Sequence, residues 1–185
     1  MKKITAFIHH VRSADVIEAL RDAGYKNISL LDIKGTLKPL GEQELAQNGI
    51  DLIKRFEGFS RTVYFCPAGY PTIGYGHVVK AHEDFSAGIG EAQAEELLRQ
   101  DAVIAERAVL RLINVPLTDG QFDALVSFTY NLGGGALQRS TLRRKINREE
   151  HAEVPEQFMR WVCAGGRKLK GLVRRRQEEV NQYIF

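Results

Sequence analysis

The run Glu57-Gly58-Phe59, followed by Cys66 and by Thr72-Ile73-Gly74-Tyr75-Gly76-His77, is the part of this sequence that decides the fold. The apolar residues just before it, in positions 50–56, recur at helical spacing, which predicts a helix that ends at Glu57 and Gly58. Positions 61–77 are rich in aromatic residues, threonine and glycine, a composition typical of a small hairpin sheet. We therefore expect a helix end and a β-hairpin to stand next to each other.

Glu57 is the residue in this stretch with the clearest chemical potential. It stands at the predicted helix end beside Phe56 and Phe59, and partial removal from water favours a protonated carboxyl. A protonated carboxyl at neutral pH is what a general acid needs for glycoside cleavage. Glycosidases add a second group that activates water or forms a covalent adduct, and Cys66 and Thr72 on the hairpin could face Glu57 across a cleft. Taken alone, a glutamate before glycine also fits an ordinary helix end.

The rest of the chain after the hairpin is mostly helical in its pattern. Thr118 and Gln121 form a capping box that predicts the start of one helix, and the glycine triplet 133–135 is expected to stop it. Helices are expected over residues 91–113, 118–132, 141–146, 155–161 and 172–184.

The composition is that of a soluble globular protein, with 185 residues of which 44% are hydrophobic and 26% charged. No apolar run approaches the ~20 residues of a membrane span, so stable membrane insertion is not expected. Two cysteines are too few for a disulfide framework. The five histidines show no ligand spacing, and nothing in the sequence indicates a metal or another cofactor.

The formal net charge of +3 is modest, but basic residues concentrate near the carboxyl terminus. They are Arg160, Arg167, Lys168, Lys170, Arg174, Arg175 and Arg176. Such a run is either a solvated helix face or a basic surface that meets a polyanion, whether nucleic acid or the anionic bacterial wall.

The spacing from Glu57 through Cys66 to Thr72 resembles the Glu-x8-(Asp or Cys)-x5-Thr signature of phage-type lysozymes, glycoside hydrolase family 24. The likeness continues in the order of that family over about residues 48–185. Its further blocks are Gln121 to Leu125, Ser127 to Gly133, Ser140 to Leu142, Arg160 to Gly166 and Gly171 to Arg176.

This resemblance implies an α+β fold: a mainly helical, two-lobed lysozyme fold with a small β-hairpin lobe and a long connecting helix over residues 91–113. It implies Glu57 as the general acid, the Cys66 position as the group that positions or activates water, and Thr72 as a helper on that water. It further implies a cleft lined by Tyr130 and Asn131 and sugar contacts at Val78 and Thr141.

Cys66 departs from the aspartate that many members of this family carry. A thiol has a reference pKa of about 8.5, so it is mostly protonated at neutral pH and is a poorer base than a carboxylate. It would need an electropositive setting to activate water. The alternative is that Cys66 is only a small buried residue in a catalytically weak domain.

Residues 1–40 predict a separate β-α-β module, joined by a linker over residues 41–47 to the lysozyme-like domain 48–185. The module resembles the first half of P-II-type nitrogen-regulatory proteins, whose nucleotide-binding second half has no match here. Half of such a sheet leaves open edges, so the module is expected to pair with another chain or to pack on the domain.

Together these observations predict an endolysin that hydrolyses the β-1,4 bonds between N-acetylmuramic acid and N-acetylglucosamine in peptidoglycan and causes host cell lysis. Its partner is expected to be the glycan strand and not nucleic acid. It would be made in the host cytoplasm and would reach the periplasmic wall after the membrane is permeabilised. The alternatives are a lytic transglycosylase, which needs Glu57 but no water-activating partner, and a non-catalytic glycan-binding or regulatory fusion.

Overall fold

Helix α1 (Gln47–Glu57) lies near the start of the part of the chain that the computed structural model describes, residues 45–66 and 69–184. The apolar side chains of Ile50 and Ile53 are fully buried, and the helix ends at Glu57 as the sequence predicts. The expected β-α-β module over residues 1–40 lies outside the described residues.

The segment just before α1 already belongs to the folded domain. Leu45 is buried in the main core, and its N–H donates to Glu106 Oε1 at 3.0 Å. The N–H of Ala46 donates to Asp123 Oδ1, also at 3.0 Å, and α1 begins at the next residue. The division at a linker over residues 41–47 stays a prediction, and its described end supplies a core side chain and two hydrogen bonds to the domain.

A three-stranded antiparallel sheet forms the small lobe, in the order β1 (Ser60–Phe65), β2 (Pro71–Gly74) and β3 (His77–Val78). Between β1 and β2 the N–H of Gly69 donates to the carbonyl of Cys66 at 2.8 Å. Gly69 has a φ of 82°, a left-handed conformation that glycine adopts at little cost. The expected hairpin is thus present, with one short strand added.

Helix α2 (Glu91–Leu112) joins the small lobe to the helices. Its buried residues recur at spacings of three and four, which is the stripe of an amphipathic helix, and they are Ala94, Leu97, Leu98, Ala102, Ala105, Ala108, Val109 and Leu112. The helix packs against β2 and β3 and also against helix α3 (Asp119–Leu132). Within the described ranges, no helix is both long and apolar enough to cross a membrane.

Helix α3 is the centre of the helical lobe. Its residues from Phe122 to Thr129 are all buried, and it packs against α1, α2 and the last helix, α7 (Lys170–Ile184). The predicted capping box is confirmed: the N–H of Gln121 donates to Thr118 Oγ1, and the N–H of Thr118 donates back to Gln121 Oε1. The centre of the lobe therefore begins where the sequence predicts.

Short elements connect α3 to α7. They are α4 (Gly134–Arg139), α5 (Thr141–Ile146), a 3-10 turn (His151–Glu153), α6 (Val154–Met159) and the paired strands β4 (Cys163–Ala164) and β5 (Arg167–Lys168). The sequence predicts neither α4 nor the β4–β5 pair, because such short elements carry no periodic pattern. Gly133, with a φ of 83°, ends α3 as expected, but the chain then enters α4 at once.

Candidate active site

Glu57 lies where α1 ends and the chain turns into the sheet. Gly58 makes this exit from the helix with a φ of 72°. The Glu57 side chain keeps 25% of its surface exposed, and its Oε1 accepts a hydrogen bond from Arg175 Nη1 at 2.7 Å. The carboxyl therefore has both access to solvent and one fixed charged partner.

The surroundings expected for Glu57 are only partly apolar. Arg175 reaches the carboxyl from α7, and its guanidinium carbon lies 5.5 Å from the centre of the Phe56 ring. Glu57 thus has a cation as well as aromatic residues beside it, which the sequence does not predict. The sequence places Arg175 in a basic run far along the chain, and only the packing of α7 on α1 brings it here.

Arg175 is itself held from two further directions. Its side chain is 4% exposed. Its Nη2 donates to the backbone carbonyl of Ser127 and its Nε to Glu179 Oε1, both at 3.3 Å. The Arg175 guanidinium therefore donates hydrogen bonds to residues of α1, α3 and α7.

The basic run near the carboxyl terminus divides into two groups. Arg175 and Arg176 are buried, with Arg176 among the largest fully buried side chains of the protein. The exposed members are Arg160, Arg167, Lys168, Lys170 and Arg174. The interpretation of the whole run as a surface is therefore wrong for the two arginines that approach the site.

Three residues of the small lobe lie side by side on one face of the sheet. Tyr64 pairs with Thr72 and Thr72 pairs with Val78 across the antiparallel strands, and the side chains of directly opposed residues share a face. Thr72 is 2% exposed, whereas Val78 and Tyr64 are exposed. The hydroxyl of Thr72 donates to the carbonyl of Tyr70 at 2.9 Å, which leaves its lone pairs as acceptors.

Cys66 lies at the end of β1. Its N–H donates to the same Tyr70 carbonyl, at 3.0 Å, directly after the last residue of β1. The residue is half-buried, and it and Cys163 are both thiols. One carbonyl therefore fixes the two small-lobe residues, Cys66 and Thr72, that the sequence associates with the attacking water.

Tyr130 connects the two lobes electrostatically. Burial raises the pKa of its phenol, and the negative charges of Glu57 and Asp101 raise it further, while Arg175 lowers it. Tyr64 of the small lobe also acts on this phenol. The charges of Glu57 and Arg175 and the Tyr64 hydroxyl thus act on the Tyr130 phenol, and its place in a cleft stays a prediction.

The other two residues expected to contact substrate make hydrogen bonds within the helical lobe. Asn131 Oδ1 accepts from Arg176 Nη2 at 3.1 Å, which ties this residue to the interior of the protein. Thr141 is the first residue of α5, and its hydroxyl accepts from Arg144 Nη2 at 2.8 Å. No described contact joins Thr141 to Glu57, so its place in the site stays a prediction.

His77 is a buried link between the small lobe and α2. Its Nδ1 lies 2.8 Å from Asp101 Oδ2 and its Nε2 lies 2.9 Å from Glu83 Oε2, and only 2% of its surface is exposed. Both ring nitrogens contact these carboxylates, so His77 links β3 to α2 and to the loop that follows β3. Among the described residues, no group of three histidine, cysteine or acidic side chains is arranged to hold a metal ion.

A family model described as phage lysozyme matches residues 54–179. The endolysin of Bacillus phage B103 is 42% identical over 142 residues, which are 76% of this chain and 54% of that protein. The endolysin of Acyrthosiphon pisum secondary endosymbiont phage 1 is 38% identical over 73% of this chain and 94% of that protein. The solved muramidase domain of SpmX from Asticaccaulis excentricus superposes with a TM-score of 0.71 at 35% identity, covering 78% of this chain and 99% of that chain.

The chain therefore belongs to the phage lysozyme family, a class of glycoside hydrolases. The expected α+β, mainly helical lysozyme fold is confirmed. The chain spans about half the length of the Bacillus phage relative but nearly the whole length of the endosymbiont phage relative. None of these matches bears on the resemblance of residues 1–40 to P-II-type proteins, which stays a prediction.

Sequence reasoning missed Arg175, Glu179 and Ser127 as parts of the site. The available signal was that Arg175 and Glu179 are four residues apart on a predicted helix, where oppositely charged side chains can pair. That spacing alone describes an ordinary surface pair. Burial of this pair against α3 distinguishes it, and burial cannot be deduced from the spacing.

Proposed function

We propose that this protein is an endolysin that hydrolyses the β-1,4 bonds between N-acetylmuramic acid and N-acetylglucosamine and so lyses the host cell. The observation that carries the proposal is the position of Glu57, which lies at the end of α1, is partly exposed and is held by Arg175. The relatives named endolysin and the muramidase domain of similar fold support the choice of peptidoglycan as the substrate.

In the proposed reaction Glu57 gives its proton to the glycosidic oxygen as the bond to the sugar carbon breaks. Water adds to that carbon from the side of Cys66 and Thr72 and releases one proton to bulk solvent, and Glu57 takes up a proton from bulk solvent before the next cycle. The Thr72 hydroxyl, which donates to the Tyr70 carbonyl, would accept a hydrogen bond from this water. Val78, Tyr130, Asn131 and Thr141 are proposed to contact the glycan.

The decisive experiment is digestion of purified peptidoglycan followed by mass analysis of the fragments. Hydrolysis leaves reducing ends, a transglycosylase leaves anhydro-sugar ends, and a glycan-binding protein releases no fragments. We expect reducing ends from the wild type. Glu57→Gln should remove activity without unfolding, because an amide cannot donate the proton, while Glu96→Gln on the exposed face of α2 should retain it.

Cys66 separates hydrolysis from the transglycosylase alternative. If its side chain handles the water, Cys66→Asp should keep or raise the rate of fragment release, and Cys66→Ala should lower it strongly. A rate of Cys66→Ala equal to that of the wild type would remove this residue from the mechanism. Anhydro-sugar ends from the same digests would then identify a transglycosylase.

The proposed place of action is the periplasmic wall, reached from the host cytoplasm after the membrane has been permeabilised. Gram-negative cells that synthesise the protein should therefore stay turbid until chloroform is added to permeabilise the cytoplasmic membrane, and should then clear. Clearing without chloroform would contradict a need for permeabilisation.

The amino-terminal module over residues 1–40 is proposed to be dispensable for catalysis and to mediate self-association. Deleting residues 1–43 should leave a folded, active enzyme, because the described domain has its own core. The deletion must stop before Leu45, which belongs to that core. Light scattering should show a smaller oligomer after deletion if strand pairing occurs through the module, and an unchanged mass would contradict self-association.

A further inference from the structure

Glu179 is a fully buried carboxylate next to the arginine that holds Glu57. One of its oxygens, Oε1, accepts from Ser127 Oγ at 2.8 Å, from Arg176 Nη2 at 2.8 Å and from Arg175 Nε at 3.3 Å. The side chains of Glu179 and Arg176 are 0% exposed. A single oxygen atom thus accepts hydrogen bonds from two guanidinium groups and one hydroxyl in the interior of the helical lobe.

The geometry of the guanidinium transmits this arrangement to Glu57. The guanidinium of arginine is planar, and its N–H groups point in fixed directions. Glu179 holds Nε of Arg175 and the Ser127 carbonyl holds Nη2, so the direction of the third nitrogen, Nη1, is determined as well. That nitrogen is the one that donates to Glu57 Oε1 at 2.7 Å.

The same cluster also reaches the predicted glycan-contacting surface. Arg176 donates through Nη2 to Asn131 Oδ1 at 3.1 Å while it donates to Glu179. The guanidinium of Arg176 lies over the ring of Phe128, 5.0 Å from its centre, which limits its movement. Glu179 therefore stands behind two site residues, Glu57 through Arg175 and Asn131 through Arg176.

Stability alone is a poor explanation for this cluster. Arg176 Nε, Arg176 Nη1 and Glu179 Oε2 are buried without a hydrogen-bond partner within the described residues. Such groups carry a desolvation penalty, and buried ion pairs replaced by apolar side chains of similar volume are often equally or more stable. A role in holding the site gives a physical reason for a charge arrangement that folding does not require.

We propose that Glu179 is a positioning residue for the acid Glu57, acting through the guanidinium of Arg175. This inference rests on the proposed hydrolysis of peptidoglycan and adds a residue that does not touch the substrate. Arg175 and Arg176 of α7 are the charged groups that contact Glu179 directly. Ser127 of α3 adds a hydroxyl, and the charge of Glu57 on α1 faces the cluster from the far side of Arg175.

The test compares Glu179→Gln with Glu178→Gln in the full chain. Glutamine keeps the shape of the side chain and one acceptor oxygen but removes the negative charge that holds the Arg175 guanidinium in place. Glu178 is the matched control because it is the adjacent glutamate on α7, and its ion pair is only a 3.8 Å contact with the largely exposed Arg55. Initial rates of reducing-end formation are measured over substrate concentration and over pH, with melting temperatures alongside.

We expect Glu179→Gln to lower kcat on the order of tenfold or more with little change in KM, because small displacements of a reacting group cost large factors in rate. The alkaline limb of kcat should also move to lower pH. Without the Glu179 charge, the positive charge of Arg175 is no longer compensated from the interior, and it favours the ionised form of the Glu57 carboxyl. Glu178→Gln should match the wild type in kcat and in pH profile.

Ser127→Ala covers the case in which Glu179→Gln fails to fold. It removes one hydrogen bond to Glu179 Oε1 and leaves every charge in place. A lower kcat at an unchanged melting temperature supports positioning. A wild-type kcat and pH profile in a folded Glu179→Gln, or in Ser127→Ala where only that variant folds, overturns the inference alone. A wild type that releases no fragments overturns the proposed function and the inference with it.

Discussion

Each lobe contains a buried cluster of charged groups, and the two clusters are built in opposite ways. In the small-lobe cluster, His77 is buried between Asp101 and Glu83, whose side chains keep 28% and 16% of their surface exposed. In the helical-lobe cluster, the carboxylate of Glu179 is fully buried between Arg175 and Arg176. Water thus reaches both acids of the first cluster, whereas it does not reach the Glu179 carboxylate of the second.

Because of this difference in exposure, the pKa values of the two glutamates shift in opposite directions. The pKa of Glu83 is lowered to about 2, mainly because the Lys80 N–H and then His77 donate to its carboxylate. The pKa of Glu179 is raised to about 7, because burial outweighs both guanidinium groups and the Ser127 hydroxyl. Hydrogen-bond donors decide the ionisation of an acid at the surface of a lobe, whereas desolvation decides it in the interior.

The largest expected effect is on the helical-lobe cluster. Arg176→Met should lower the free energy of unfolding by about 3 kcal/mol, because it removes one partner of a buried ion pair and leaves Glu179 with less compensation. Arg174→Met is the matched control on the exposed side of the same run and should change the free energy by less than about 0.5 kcal/mol. Urea unfolding measures both. Similar losses in both variants would show that the run is not divided into a buried and an exposed part.

A smaller loss is expected from the small-lobe cluster. His77→Ala should lower the free energy of unfolding by about 2 kcal/mol, because both carboxylates lose the ring nitrogen that contacts them but regain contact with water. The matched control is His82→Ala, since His82 is exposed in the loop after β3. Urea unfolding at neutral pH measures both variants. A loss of unfolding free energy in His77→Ala equal to that in Arg176→Met would show that the two clusters do not differ in stability.

The smallest change is the one per pH unit, because the free energy of unfolding depends on pH with a slope of at most about 1.4 kcal/mol per pH unit for each group. Glu83 has a lowered pKa in the folded state, so its contribution is present above the unfolded value of 4.5 and is lost as the pH falls towards about 2. Glu179 has a raised pKa, so its contribution is present below 4.5 and is lost as the pH rises through about 7.

Urea unfolding of Glu83→Gln and Glu179→Gln across this pH range tests the two slopes separately. Glu83→Gln should flatten the acid slope and Glu179→Gln the slope between pH 4.5 and about 7. Slopes of the same sign for the two glutamates would contradict the comparison.

Much of the fold could be predicted because its elements have local causes. The amphipathic stripe of α2 and the Thr118 capping box act within a few residues of the chain, and both elements form where the sequence predicts. Two features could not be predicted, for different reasons. Nothing near Leu45 in sequence shows that its side chain enters the core, because the residues that cover it are distant in sequence. The six residues of α4 are too few for a periodic pattern.

The sequence by itself determined the family, the helix that ends at Glu57 and the hairpin that carries Cys66 and Thr72, because these depend on residue types at fixed spacing. Only the tertiary structure decided what Arg175, Arg176 and Glu179 do. Three arginines in succession on a helix point in different directions, and the packing of α7 on α1 and α3 selects which of them are removed from water. Burial then turns an ordinary basic run into the charge cluster that holds Glu57, since a paired charge has strong directional effects only where water is excluded.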